Sequence, residues 1–180
     1  MNNVAKIERL RAVTPRHIDE LCHVLIDCVE GGASISFMLP MTRDKAERFW
    51  RGVADDVAKN DRVLLVARKE QGEQGEQGEI IGTVQVVLAQ PENQPHRADI
   101  SKMIVHRSAR QQGVAAALMA SAEAEALREG KTVLVLDTAS DAAARVYRKL
   151  GWLECGVIPD FALLPDGALC STIYFYKRLA

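Results

Sequence analysis

The apolar positions of this chain change period several times, and each change marks an element. From His17 to about Glu30, Ile18, Leu21, Cys22, Leu25, Ile26 and Val29 recur three and four apart, the spacing of one helix face. Gly31 and Gly32 break that pattern. Thr42 can cap a second helix running to about Asn60, with Phe49, Val53 and Val57 on one side. An alanine-rich third helix spans about Val114 to Glu129 and stops at Gly130, a residue suited to the left-handed position after a helix. "SDAAARVYRKLG" is a short fourth helix with Ser140 as N-cap.

Strand patterns lie between these helices. "KIERLRAVT" alternates, while "RVLLVARK" and "IIGTVQVVLAQ" are rich in β-branched residues. "ADISKMIV" follows, then "TVLVLDT", whose unbroken apolar run suits a strand covered on both faces. "TIYFYKRL" closes the chain, and its apolar side could pair across a homodimer. Interleaved strands and helices predict a mixed α/β sheet rather than a helical bundle or a β-sandwich.

The 180 residues suit one domain, 1–180, and 48% apolar with 26% charged residues is an ordinary globular composition. A net charge of −1 gives no global pull toward nucleic acid or an anionic membrane, so any phosphate recognition must be local. "VLVL" is far too short to span a bilayer, and "MNNVAKIERLRAVT" has no apolar signal region. The cysteines Cys22, Cys28, Cys155 and Cys170 form no C-x-x-C pair, which suits a reducing cytoplasm. "EQGEQGEQGE" reads as a solvated hairpin loop, with a partner-binding tip as the alternative. His23 and Asp27 could share a metal, but no second ligand pair has zinc spacing, and helix packing explains Cys22, His23, Asp27 and Cys28. No metal is expected. Hydrolase and dinucleotide-binding motifs are absent.

One stretch carries chemistry. "HRSARQQGVAAAL" places a basic turn directly before the third helix, where unpaired N–H groups and the helix dipole favour phosphate. A side chain at Gly113 would obstruct backbone approach, whereas Ala115 and Ala116 keep the first helical turn uncluttered. A glycine at a helix start is also an ordinary turn residue. His106 could touch a phosphate, or it is simply a solvated loop residue.

Arg110, Gly113 and Ala115 match [Arg/Gln]-x-x-Gly-x-[Gly/Ala], and with Tyr147 ahead of Gly151-Trp152 the chain resembles the GNAT superfamily of acetyl-CoA-dependent N-acetyltransferases. The resemblance implies the GNAT fold, a mixed and mostly antiparallel sheet of about seven strands, with strands four and five splayed and a bulge in strand four. It implies pyrophosphate held by Arg110, Gln111, Gln112, Gly113, Val114, Ala115 and Ala116. The pantetheine arm would pair with backbone of Met103, Ile104 and Val105. Family members open the next helix with Asn seven residues before the Tyr; Ser140 stands there here and can still cap the helix, and by the resemblance Ser140 and Tyr147 are candidate cofactor-binding residues. "GGASISFM", "RADISKMIVHRSARQQG", "LVLDT" and "LPDG…STIYFYK" look like the branch containing the tabtoxin-resistance acetyltransferases. By that likeness Asp99 and Asp137 are candidate bases and Tyr147 acts at the thiol. Asp99 could instead pair with Arg97 or Lys102, and Asp137 could cap a turn.

These groups meet a physical need. An alkylammonium is neutral about once in 2,500 molecules at pH 7, a handicap of roughly 4.6 kcal/mol. A base or water chain offsets it. A tyrosine hydroxyl is protonated at neutral pH and ready to assist a departing thiolate. Gly32, Ser34 and Phe37, in the segment between the first two helices, are candidate contacts for the acceptor. The expected activity is direct acetyl transfer to a small polar amine, amino-acid-like or an antimetabolite toxin. Alternatives are a non-catalytic acyl-CoA sensing module and an acetyltransferase of protein N-termini.

Overall fold

In a computed structural model, residues 5–69 and 78–180 are described; the Gln-Gly-Glu repeat lies almost entirely outside them. The elements are β1 (Ala5–Leu10), α1 (Pro15–Glu30), α2 (Arg43–Ala58), β2 (Arg62–Lys69), β3 (Ile80–Val87), β4 (Arg97–Val105), α3 (Val114–Arg128), β5 (Val133–Thr138), α4 (Asp141–Lys149), β6 (Leu153–Leu163) and β7 (Leu169–Arg178). Capping fixes the helix starts. Thr14 and His17 form a reciprocal capping box on α1, Thr42 accepts from Lys45 N, and Ser140 accepts from Ala143 N.

The strands form one seven-stranded sheet in the order β1-β2-β3-β4-β5-β7-β6. The β4–β5 pair is parallel and every other pairing is antiparallel. β2 and β3 are buried on both faces, which explains their unbroken apolar runs. On one face α3 and α4 pack Val114, Leu118, Met119, Ala122, Ala144 and Tyr147 against Leu65, Val84, Val86, Leu134 and Phe175. On the other, α1 and α2 pack Leu21, Leu25, Val29, Trp50 and Val53 against Leu64, Val66 and Ile104. No described helix is long and apolar enough to cross a membrane.

Two features differ from the sequence expectation. "LECGVIPDFAL" is an eleven-residue strand, β6, that apolar patterning does not show. It is solvated along nearly its whole length, so neither face is marked by alternation. Gly156 and Pro159 fall within it, and its pairing with β7 slips twice. β6 therefore takes the sheet edge, and β7, which contains "TIYFY", is interior between β5 and β6. The edge strands are β1 and β6, and the final strand is neither.

Candidate active site

β4 and β5 touch only at Arg97–Asp99 against Val133–Val135 and then diverge. The divergence has a local cause. Across β3, Thr83 faces Ile104 and Gln85 faces Ser101, so β4 carries one extra residue, and Lys102 there adopts φ +49°. This bulge bends β4 away from β5 and leaves one edge of Met103–Val105 without a strand partner. The expected splay and bulge are both present.

The gap opens into a cleft of about 1240 Å³. One half is lined by Met103, Ile104 and Val105, then Arg110, Gln111, Gly113, Val114, Ala115 and Ala116, and finally Ser140 and Tyr147. Gly113 is the N-cap of α3 at φ +81°, supplies no side-chain cap, and has no atom within 4 Å of a Cβ built on it. The first N–H groups of α3 have no partner within the helix, and Val114, Ala115 and Ala116, which carry them, line the cleft. The Arg110 guanidinium folds back, its Nε donating to Val105 O at 3.2 Å. Gln112 does not line the cleft; its amide donates to Ser108 O at 3.1 Å and closes the turn.

The other half lies between the α1–α2 loop and the β6–β7 hairpin. Gly32, Ser34 and Phe37 line it, and the loop is tied across the cleft by Ser34 Oγ donating to Leu163 O (3.3 Å) and Leu39 N to Pro165 O (3.0 Å). Asp137, exposed at the end of β5, accepts from Thr172 Oγ1 at 2.7 Å. Tyr147 is 4% exposed, packed by Trp152 and Phe175. Burial pushes its phenol well above the ordinary tyrosine value, with Asp137 adding to the shift.

Asp99 is not brought to the cleft. It shares the sheet face of Asp137 but sits where β4 and β5 still pair, and its carboxylate is held by Arg97 and by Gln90 Nε2 (3.2 Å). The pairing with Arg97 is the local alternative that the sequence left open.

A family model described as Acetyltransferase (GNAT) family matches residues 30–152. The chain belongs to this family. It is 31% identical over 133 residues, 73% of each chain, to an uncharacterized N-acetyltransferase encoded between hisH and hisA in Azospirillum brasilense. In fold it resembles YncA from Salmonella typhimurium, solved with its cofactor acetyl-CoA, at TM-score 0.76 and 17% identity over 99% of this chain and 95% of that one. It also resembles the ribosomal-protein-alanine N-acetyltransferase from Brucella melitensis at TM-score 0.74 and 21% identity, over 97% and 99% of the two chains. The GNAT fold, with its open sheet and parallel β4–β5 pair, is thereby shown.

Two residues, one behind the turn before α3 and one lining the cleft, were not singled out by the sequence reading. Asp27 on α1 accepts from Arg107 N and Nε, both at 2.8 Å, and faces His106 Nε2 at 3.5 Å, buckling the turn onto α1. Burial alone would raise this carboxyl, but the Arg107 bonds with His106 nearby outweigh it and hold Asp27 below its ordinary value. His106 is accordingly half-buried rather than a free loop side chain, its Nδ1 lying 2.8 Å from Ser108 Oγ. Lys102 lines the half of the cleft beside the α1–α2 loop, where burial pushes its ammonium down, Arg62 adds to that, and Asp137 opposes it. The cysteines of α1 are buried, and among the described residues no cluster of three His, Cys, Asp or Glu could hold a metal.

Proposed function

We propose that this acetyltransferase acts as a single domain that binds acetyl-CoA along β4 and α3 and transfers acetyl directly to the amine of a small polar acceptor. The observation that carries the reading is the continuity of one cleft from the open N-terminus of α3 to Asp137. Gly113 and the first amides of α3 fit a pyrophosphate, and the unpaired edge of Met103–Val105 fits an extended pantetheine amide chain. Acetyl-CoA supplies the activated thioester when bound.

The chain's own residues do the rest. Asp137, fixed by Thr172, accepts the amine proton directly or through one water as nitrogen bonds to the acetyl carbon and the carbon–sulfur bond breaks. Tyr147 donates a hydrogen bond to the departing sulfur. Complete proton transfer from an ordinary phenol to a thiolate costs about 2 kcal/mol, and burial makes it costlier here. Tyr147 therefore works as a hydrogen-bond donor that stays protonated, and the thiolate takes its proton from water after leaving. No side chain carries the acetyl group.

The likeness to the tabtoxin-resistance branch supports an amino-acid-like or toxin acceptor and a resistance role, and the cysteine pattern supports a cytoplasmic setting. The exposed apolar edge of β6, with Leu153, Val157 and Phe161, supports a homodimer joined there. The test is thiol release from acetyl-CoA against a panel of amines, amino acids and N-terminal peptides. Release with small amines supports the reading, and preference for peptides moves it to protein N-termini. Tight CoA binding without turnover identifies a sensing module.

A further inference from the structure

Lys102 occupies a costly position. It sits at φ +49° in the β4 bulge, a conformation that non-glycine residues adopt sparingly, and its side chain enters the cleft instead of water. Nζ donates to Ser36 Oγ at 3.1 Å and lies 6.0 and 5.8 Å from the ring centroids of Phe37 and Phe49. Among the described residues no carboxylate forms an ion pair with it. The nearby cation, Arg62, is itself taken by Asp56 and Gln85. A half-buried ammonium with no carboxylate bonded to it, facing a cleft, is arranged for an anion supplied by a ligand.

The placement says which ligand. Lys102 and Asp137 line the same cleft, and the Asp137 carboxylate favours the charged form of Lys102 against its burial. A molecule bearing an amine and an anionic oxygen group meets both, the amine toward Asp137 and the anion toward Lys102. We infer that Lys102 is the specificity residue of the acceptor site, anchoring the carboxylate of an amino-acid-type acceptor between the β4 bulge and the Ser36–Phe37 segment. The inference rests on the small-amine reading above and narrows it to amines that carry a carboxylate. Ser36 and the two rings hold the ammonium in place.

The test uses the twenty L-amino acids and their α-carboxamides as paired acceptors, with thiol release as readout. Amidation deletes the carboxylate charge and leaves a larger neutral fraction of the amine at pH 7, so intrinsic reactivity favours the amides. A preference for the acids is therefore imposed by the protein. The expected preference for turned-over pairs is about 10- to 100-fold in kcat/KM, carried mainly in KM. Lys102→Met should abolish it while leaving the KM for acetyl-CoA unchanged, and Lys102→Arg should restore part of it. Calorimetric titration of the best acid into the CoA-loaded protein should show the same loss without turnover. A merely structural clip between Lys102 and Ser36 would lower both members of each pair alike. Turnover without acid preference, or a preference that survives in Lys102→Met, overturns the anchor and leaves the acetyltransferase reading standing. Absence of release with every acid and amide overturns the small-amine reading and the anchor with it.

Discussion

Gly113 and Gly130 bracket α3 and form a natural experiment. Both hold positive φ, +81° and +74°, and neither has an atom within 4 Å of a Cβ built on it. Alanine at either site therefore meets no steric clash within the fold and bears only the left-handed backbone cost, about 1–2 kcal/mol per residue. Part of this is offset by the stiffer unfolded chain, leaving roughly 1 kcal/mol and a Tm lower by about 2–4 °C for a chain of this size. The sites differ in what faces them. Gly113 lines the cleft at the start of α3, where a methyl group would displace a phosphate oxygen from the helix amides, while Gly130 follows the far end of the helix. Losing one charge-assisted hydrogen bond is worth about 1.5–3 kcal/mol, or roughly 10- to 100-fold in Kd. Thermal melts and calorimetric titration of acetyl-CoA on both variants separate the effects. Equal Tm losses with weakened binding only in Gly113→Ala are expected. Unchanged affinity in Gly113→Ala, or equal weakening in both variants, would refute the assignment of this turn to the pyrophosphate.

Further outcomes follow from the same geometry. Tyr147→Phe keeps the buried ring against Trp152 and Phe175, so Tm should move little while kcat falls at least about tenfold with the KM for acetyl-CoA unchanged. Asp27→Asn should raise the KM for acetyl-CoA about fivefold or more by releasing Arg107 and the turn, with the acceptor KM unmoved. The folded carboxyl of Asp27 is held below its unfolded value, so its stabilising contribution is present above about pH 4 and disappears as pH falls through the folded pKa. The Tm gap between wild type and Asp27→Asn should accordingly narrow in acid, as scanning calorimetry from neutral to low pH would show.

The sequence made visible what is periodic and local. The faces of α1 and α2, the caps Thr42 and Ser140, and the turn before α3 all follow from spacing and residue type within a few positions. β6 stayed hidden because solvation along its length removes alternation, and because a proline and a glycine interrupt it. Asp27 read as one more polar position on a helix, since Arg107 lies eighty positions away in the chain. Lys102 entered the sequence reading only as a possible partner of Asp99. Only the bulge, which turns it toward Phe37 and Phe49, gives it another meaning. Asp99 and Asp137 looked equivalent as carboxylates on neighbouring strands, and the divergence of β4 from β5 separates them.

That separation is the most direct point at which to test the account. With the best small-amine acceptor, kcat/KM would be measured for Asp137→Asn and Asp99→Asn beside wild type, each checked for an unchanged acetyl-CoA Kd. The account predicts a loss of at least about 100-fold in Asp137→Asn, the size of a missing general base, and a change within about threefold in Asp99→Asn, whose partners are Arg97 and Gln90. Collapse of activity in Asp99→Asn with Asp137→Asn near wild type would contradict it.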